Sequence, residues 1–137
     1  SSVRRFFGPE KIEYFYSRRT TANQVMAGLG GPPDKLLRLD DKLFLASACR
    51  HHSCTEKAAV VIACPNTVVA AGIFHYKCGV VGREEDCSSK PHLTVYSGGD
   101  NETAREAIQS WGQAAADGYG YPLVTHDRLT SRRSRTR

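Results

Sequence analysis

Leu43-Phe44-Leu45-Ala46-Ser47-Ala48-Cys49-Arg50-His51-His52-Ser53-Cys54-Thr55-Glu56-Lys57-Ala58-Ala59-Val60-Val61-Ile62 is the stretch whose reading decides the fold. Its two ends are apolar runs of strand-forming composition. Between them lies a short polar interval bracketed by two cysteines, with a pair of histidines at its tip. The pattern predicts two neighbouring strands joined by a loop that is tied at its base and presents titratable side chains.

Working outward, residues 36–39 read as a strand that turns at Asp40-Asp41 into the strand over 43–48. A strand over 57–63 follows the cysteine loop, and Cys64-Pro65-Asn66 turns it into another over 67–76. A polar loop over 79–90 leads to a last strand at 93–96. Short consecutive strands joined by tight turns imply an antiparallel meander, because parallel pairs need long crossovers. Near the N-terminus, Ile12, Tyr14 and Tyr16 alternate as a short extended segment. A helix is expected over 21–29, capped by Thr20 or Thr21, with Val25, Met26 and Leu29 on one face, and Gly30-Gly31-Pro32-Pro33 ends it. A second helix is capped by Asp100 or Asn101 and carries Ala104, Ala107, Ile108, Trp111 and Ala115 at helical spacing. Gly118 lies beyond its end, and the stripe should cover one face of the sheet. The expected class is α+β: an antiparallel sheet of about five strands flanked by an N-terminal and a C-terminal helix.

A chain of 137 residues, 40% apolar and 9% aromatic, suits one globular domain. It holds no run of apolar residues long enough to span a membrane. The net charge of +5 is concentrated at the C-terminus, where Arg128, Arg132, Arg133, Arg135 and Arg137 face one acid, Asp127. The expected organisation is a domain over 1–123 and a basic, flexible tail over 124–137. Without interleaved aromatics the tail reads as solvated, with no nucleic acid and no membrane as partner. Five cysteines (49, 54, 64, 78 and 87) point to an oxidising compartment. The absence of a leader-like opening fits a mature secreted protein and equally a chain expressed recombinantly without one. Cys49–Cys54 is the first expected disulfide. Cys78–Cys87, flanking a polar loop, is the natural second, and it leaves Cys64 free; pairing of Cys64 with Cys78 or Cys87 is the alternative.

Three bottom-up readings compete for the cysteine loop. A staple at a hairpin end would leave the histidines solvated, but closing so short a loop constrains the unfolded chain by only about 2 kcal/mol, and that does not explain two histidines at the apex. A zinc site from Cys49, His51 or His52, and Cys54 has suitable ligand types and poor spacing, with His75 and Cys78 as the distant completion. A cysteine nucleophile with a histidine base needs a third group to orient the base, and residues this close in sequence rarely supply that geometry. No serine–histidine–aspartate motif and no phosphate-cradling glycine motif appears.

Cys49-Arg50-His51-His52-Ser53-Cys54 resembles the Cys-Lys-Pro-His-Asp-Cys signature of the Ivy family, bacterial inhibitors of vertebrate c-type lysozyme. Gly31-Pro32-Pro33-Asp34 before the first hairpin, the strands after the loop, and the Gly98-Gly99-Asp100-Asn101 turn before the last helix echo the same order. The likeness covers residues 21–118. It implies a periplasmic or secreted inhibitor, not an enzyme and without a cofactor, that plugs a lysozyme active-site cleft with a loop closed by Cys49–Cys54. In it His52 matches the histidine that enters the cleft, and Arg50 stands in for lysine. His51 replaces proline and Ser53 replaces aspartate, departures that bear on affinity and target choice. The family also suggests a homodimer. The nearest alternatives are an immunity protein against a bacterial peptidoglycan-degrading toxin and a metal-binding or thiol module using the same Cys/His cluster.

Overall fold

A computed structural model describes residues 2–12, 14–15, 19–76, 78–81, 84–87, 90–98, 101–118, 120 and 122–130; for 78–81 and 84–87 it describes the backbone. In chain order the elements are α1 (Ser2–Phe6), β1 (Lys11–Ile12), β2 (Arg19–Thr20), α2 (Thr21–Gly28), β3 (Leu37–Arg38), β4 (Leu43–Arg50), β5 (Ser53–Ala63) and β6 (Thr67–His75). They continue with β7 (Cys78–Val81), β8 (Glu84–Cys87), β9 (His92–Ser97), α3 (Glu102–Asp117) and β10 (Val124–Leu129). Six strands form one sheet in the order β10-β9-β6-β5-β4-β3, and β1-β2 and β7-β8 are separate two-stranded ribbons. The fold is α+β.

Three expectations change. The sheet is mixed, because β10 pairs parallel with β9, from Val124 opposite His92 to Leu129 opposite Ser97. The meander argument fails at this one step: α3 is the long crossover that a parallel pair requires. Residues 124–129, expected to begin a flexible tail, are therefore the edge strand of the sheet; residues 131–137 lie outside the described residues. The polar interval expected as a loop over 79–90 contains the β7–β8 ribbon. Its register sets Cys78 opposite Cys87, while the side chains, and with them the expected second disulfide, lie outside the described residues.

Strand alternation sorts the core into two layers. Ala58, Val60, Ala71, Ile73 and Tyr96 face α1 and α2, where Phe7, Ala22 and Val25 meet them. Ala59, Val61, Ala70, Leu93 and Val95 face α3 through Ala104 and Ile108. In α2 the buried face is Thr21, Ala22, Gln24, Val25 and Gly28, capped by the Thr20 hydroxyl accepting from Asn23 N–H. Met26, expected on that face, is 39% exposed, being a full 100° step round the helix from Val25. In α3, capped by Asn101 at Ala104 N–H, the buried stripe is Ala104, Ile108, Gly112 and Ala116. Trp111 sits half-buried on its flank, edge-on to Phe74 with ring centres 6.4 Å apart, rather than anchoring the stripe. Small residues at the contacts let α3 approach closely: a Cβ on Gly72 would lie 2.5 Å from Ile108, and one on Gly112 2.5 Å from Leu93. Among the described residues no helix is long and apolar enough to cross a membrane.

Candidate functional site

The loop expected from the sequence is a two-residue turn at the tip of the β4–β5 hairpin. Arg50 pairs with Ser53, leaving His51 and His52 as the turn residues. Both imidazoles are exposed, their ring centres 3.8 Å apart and tilted by 49°. His52 adopts φ = 67°, the left-handed region that residues other than glycine occupy uncommonly, asparagine, aspartate and histidine more often than the rest. The turn thus holds one imidazole in a backbone conformation chosen by its surroundings, at a cost of roughly 1–2 kcal/mol.

Three features fix the tip. Cys49 and Cys54 are joined by a disulfide across a Cα–Cα distance of 4.6 Å, with Cys49 buried and Cys54 exposed. The register then jumps: Cys49 pairs with Lys57, so Cys54, Thr55 and Glu56 form an irregular bulge between two regular pairs. On the outer side of β4, the segment after α2 adds a further edge. Gly31 N–H donates to Cys49 O at 2.8 Å, Cys49 N–H to Pro32 O at 3.3 Å, and Asp34 N–H to Ser47 O at 2.9 Å. Gly31 is required there, since a Cβ would stand 2.6 Å from the Cys49 carbonyl oxygen.

The bulge brings in a residue the sequence reading missed. Glu56 Oε1 accepts from Ser53 Oγ at 2.9 Å and from Arg50 Nη1, so one carboxylate ties both flanks of the turn. The Arg50 and Glu56 side chains are 25% and 18% exposed, sheltered enough for their attraction to escape much of water's screening. The Arg50 guanidinium also lies 5.9 Å over the Phe15 ring. Phe15 is held by its N–H to Gln24 Oε1 at 2.9 Å, and buried Gln24 donates in turn to Ile12 O at 2.8 Å. A continuous set of contacts therefore runs from the core face of α2 to the loop. Arg50 is part of that brace. The signal in the sequence was a lone acid two residues beyond Cys54, passed over because the strand was expected to begin at Lys57.

Replacing Glu56 with alanine is predicted to lower stability by about 1.5–3 kcal/mol, since it leaves the Arg50 guanidinium half-buried without its carboxylate. Glu56→Gln should lose less, because the amide oxygen still accepts. Urea unfolding of the three proteins checks this, and superimposable curves would show that the brace carries no energy.

The other site residues fall as follows. His75, considered with Cys78 as a distant completion of a metal set, is buried at the end of β6 and bonds through Nε2 to Thr94 Oγ1 at 3.0 Å. The disulfide takes up the sulfurs of Cys49 and Cys54. Among the described residues no three His, Cys, Asp or Glu side chains converge on a point that would hold a metal ion. Cys64 lies exposed beyond β5 as a free thiol. Comparisons with protein-family models, with curated proteins and with solved structures give no significant match to this chain.

Proposed function

We propose that this protein is a proteinaceous inhibitor of a c-type lysozyme and that it inserts the loop from Cys49 to Cys54 into the active-site cleft, His52 foremost. The observation that carries the reading is a rigid, disulfide-closed two-residue turn whose only large projecting groups are two exposed imidazoles. Its likeness to the Ivy signature supplies the target class. A lysozyme cleft sets a protonated general acid opposite an ionised carboxylate. A neutral imidazole has one donor and one acceptor on opposite edges of a flat ring, so it can accept from the acid and donate to the carboxylate together. Lysine has no acceptor with which to meet the acid.

Preorganisation gives the disulfide its role. Ordering a free loop on binding costs about 0.5–1.5 kcal/mol for each immobilised side chain, besides its backbone freedom. Replacing both Cys49 and Cys54 with serine is predicted to weaken inhibition roughly 10- to 100-fold while circular dichroism of the sheet is retained. Unchanged inhibition constants would remove the disulfide from the mechanism.

The test of the function itself is clearing of a bacterial cell-wall suspension by a c-type lysozyme. Dose-dependent inhibition that saturates at stoichiometric inhibitor is the expected result. Absence of inhibition by folded, oxidised protein in excess would overturn the reading, and the same assay with bacterial muramidases would then seek another cell-wall hydrolase as target.

A further inference from the structure

We propose that a hydrogen bond between His92 and His126 is a proton-operated clasp that fastens the C-terminal strand β10 to the sheet and lets it go when both rings are charged. The two histidines lie on adjacent parallel strands, with His126 opposite Thr94 and His92 opposite Val124. Nδ1 of His92 stands 3.0 Å from Nε2 of His126, the rings are parallel to within 3°, and their centres are 5.3 Å apart. That separation is the largest a contact of this length allows between two five-membered rings. The imidazoles therefore meet edge to edge in one plane with the two nitrogens aimed at each other, the geometry of an in-line N–H···N bond.

Such a bond has a definite proton requirement. With both rings neutral, one donates and the other accepts. A first added proton keeps one acceptor and makes the bond charge-assisted, hence stronger. A second proton leaves two N–H groups facing each other, with no acceptor and two like charges in contact. The docked pair accordingly takes up fewer protons in acid than the separated rings do. By linkage, acidification through the lower part of the imidazole range favours the undocked strand, and docking is restored as pH rises.

Among the described residues few other contacts tie β10 down, with Val124 N–H donating to Pro91 O at 3.1 Å and Thr130 N–H to Ser97 O at 3.0 Å at its two ends. Besides its backbone pairing with β9, its side-chain tether is Asp127 Oδ2 to Arg105 Nη2 at 3.2 Å, on the α3 side, where Asp127 is half exposed. Thr125, Arg128 and Leu129 are exposed, Leu129 by 71%, so undocking uncovers little apolar surface. His92, by contrast, is 9% exposed and embedded in a polar row. From β6, His75 faces it with ring centres 5.7 Å apart, and the Tyr14 ring lies 4.5 Å from that of His75. Tyr14 and Tyr96 join hydroxyls at 2.5 Å. Burial, with this bond second, raises the Tyr96 phenol far above its ordinary range, so it stays neutral throughout the transition. Arg128 on β10 and Glu10 from the N-terminal segment act electrostatically on Tyr96, and exposed Lys90 lies two residues before His92. Release of β10 would turn β9 into an open edge able to pair with another extended chain.

The test is amide hydrogen exchange of the full chain between pH 7.5 and pH 4.5, corrected for intrinsic exchange rates, with ring ¹⁵N shifts of the histidines followed in parallel. Protection of Val124–Leu129 should fall at least tenfold across roughly pH 6 to pH 5, while Leu45, Val61 and Ile73 amides stay protected. His126→Gln, whose side chain can donate or accept without charging, should keep β10 protected at both ends of the range. Strand protection that persists after both rings are charged would overturn the clasp. So would a His126→Gln strand that is released over the same pH interval as the wild type.

Discussion

Replacing His52 with alanine should raise the inhibition constant for a c-type lysozyme by at least 100-fold, while His51→Ala changes it less than about fivefold. The asymmetry follows from the turn. His52 is the residue with φ = 67°, and the likeness to the Ivy signature aligns it with the histidine that enters the cleft. A side chain enclosed at the centre of an interface typically contributes 2 kcal/mol or more when truncated, whereas neighbours at the rim contribute little. The loss from alanine should appear chiefly in the dissociation rate, as most effects of interface mutations do. A glycine at the same position separates recognition from backbone strain. His52→Gly removes the imidazole as alanine does but relieves the left-handed conformation, so it should raise thermal stability by about 1 kcal/mol while inhibiting no better. Equal inhibition by wild type and His52→Ala would remove the imidazole from the mechanism, and a larger effect at His51 would reassign the tip.

What the sequence made legible and what it hid divide along a physical line. The loop, its disulfide and its two exposed histidines were readable because they are local: two cysteines a few residues apart, between apolar runs of opposite chain direction. Glu56 was hidden because its importance arises from the register jump after Cys49, which periodicity cannot show. Gly31 was read as a helix terminator. Its second role, letting the backbone reach Cys49, belongs to a contact 18 residues away in the chain. His75, His92 and His126 are widely separated in sequence and meet through pairing across three strands. The sequence alone brought forward His75, as a distant completion of a zinc site, and neither His92 nor His126.

The same distinction explains the sheet. Residues from 36 to 76 were ordered correctly because hairpins are short-range. The C-terminal strand, Val-Thr-His-Asp-Arg-Leu, has neither alternation nor an apolar run, and its side chains are mostly exposed. It is a strand because β9 offers a free edge and α3 supplies the crossover. Arginines that read as a solvated tail thus begin inside the sheet, with Arg128 opposite Tyr96.

Gly112→Val should lower stability by about 2–3 kcal/mol, or roughly 10 °C in melting temperature for a chain of this size. Intrinsic propensity alone argues the other way, since valine is a better helix former than glycine by a few tenths of a kcal/mol. Packing decides the sign. The first carbon added at position 112 would lie 2.5 Å from one Leu93 methyl and 2.9 Å from the other. Leu93 is fully buried in β9, and Val95 of the same strand and Phe74 opposite it on β6 are fully buried on the same face, so its side chain cannot retreat without displacing neighbours. The helix must lift instead, and lifting it withdraws Ala104 and Ile108 from their contacts with the sheet. The interpretation can be separated from general helix damage by removing the obstacle. Leu93→Ala alone opens a cavity and should cost about 2–5 kcal/mol. In the double variant Gly112→Val/Leu93→Ala the new methyls occupy that cavity, and the combined loss should fall short of the sum by 1 kcal/mol or more. Strict additivity in urea unfolding would mean that the two residues do not compete for the same space and that α3 packs less closely on β9 than its glycine allows.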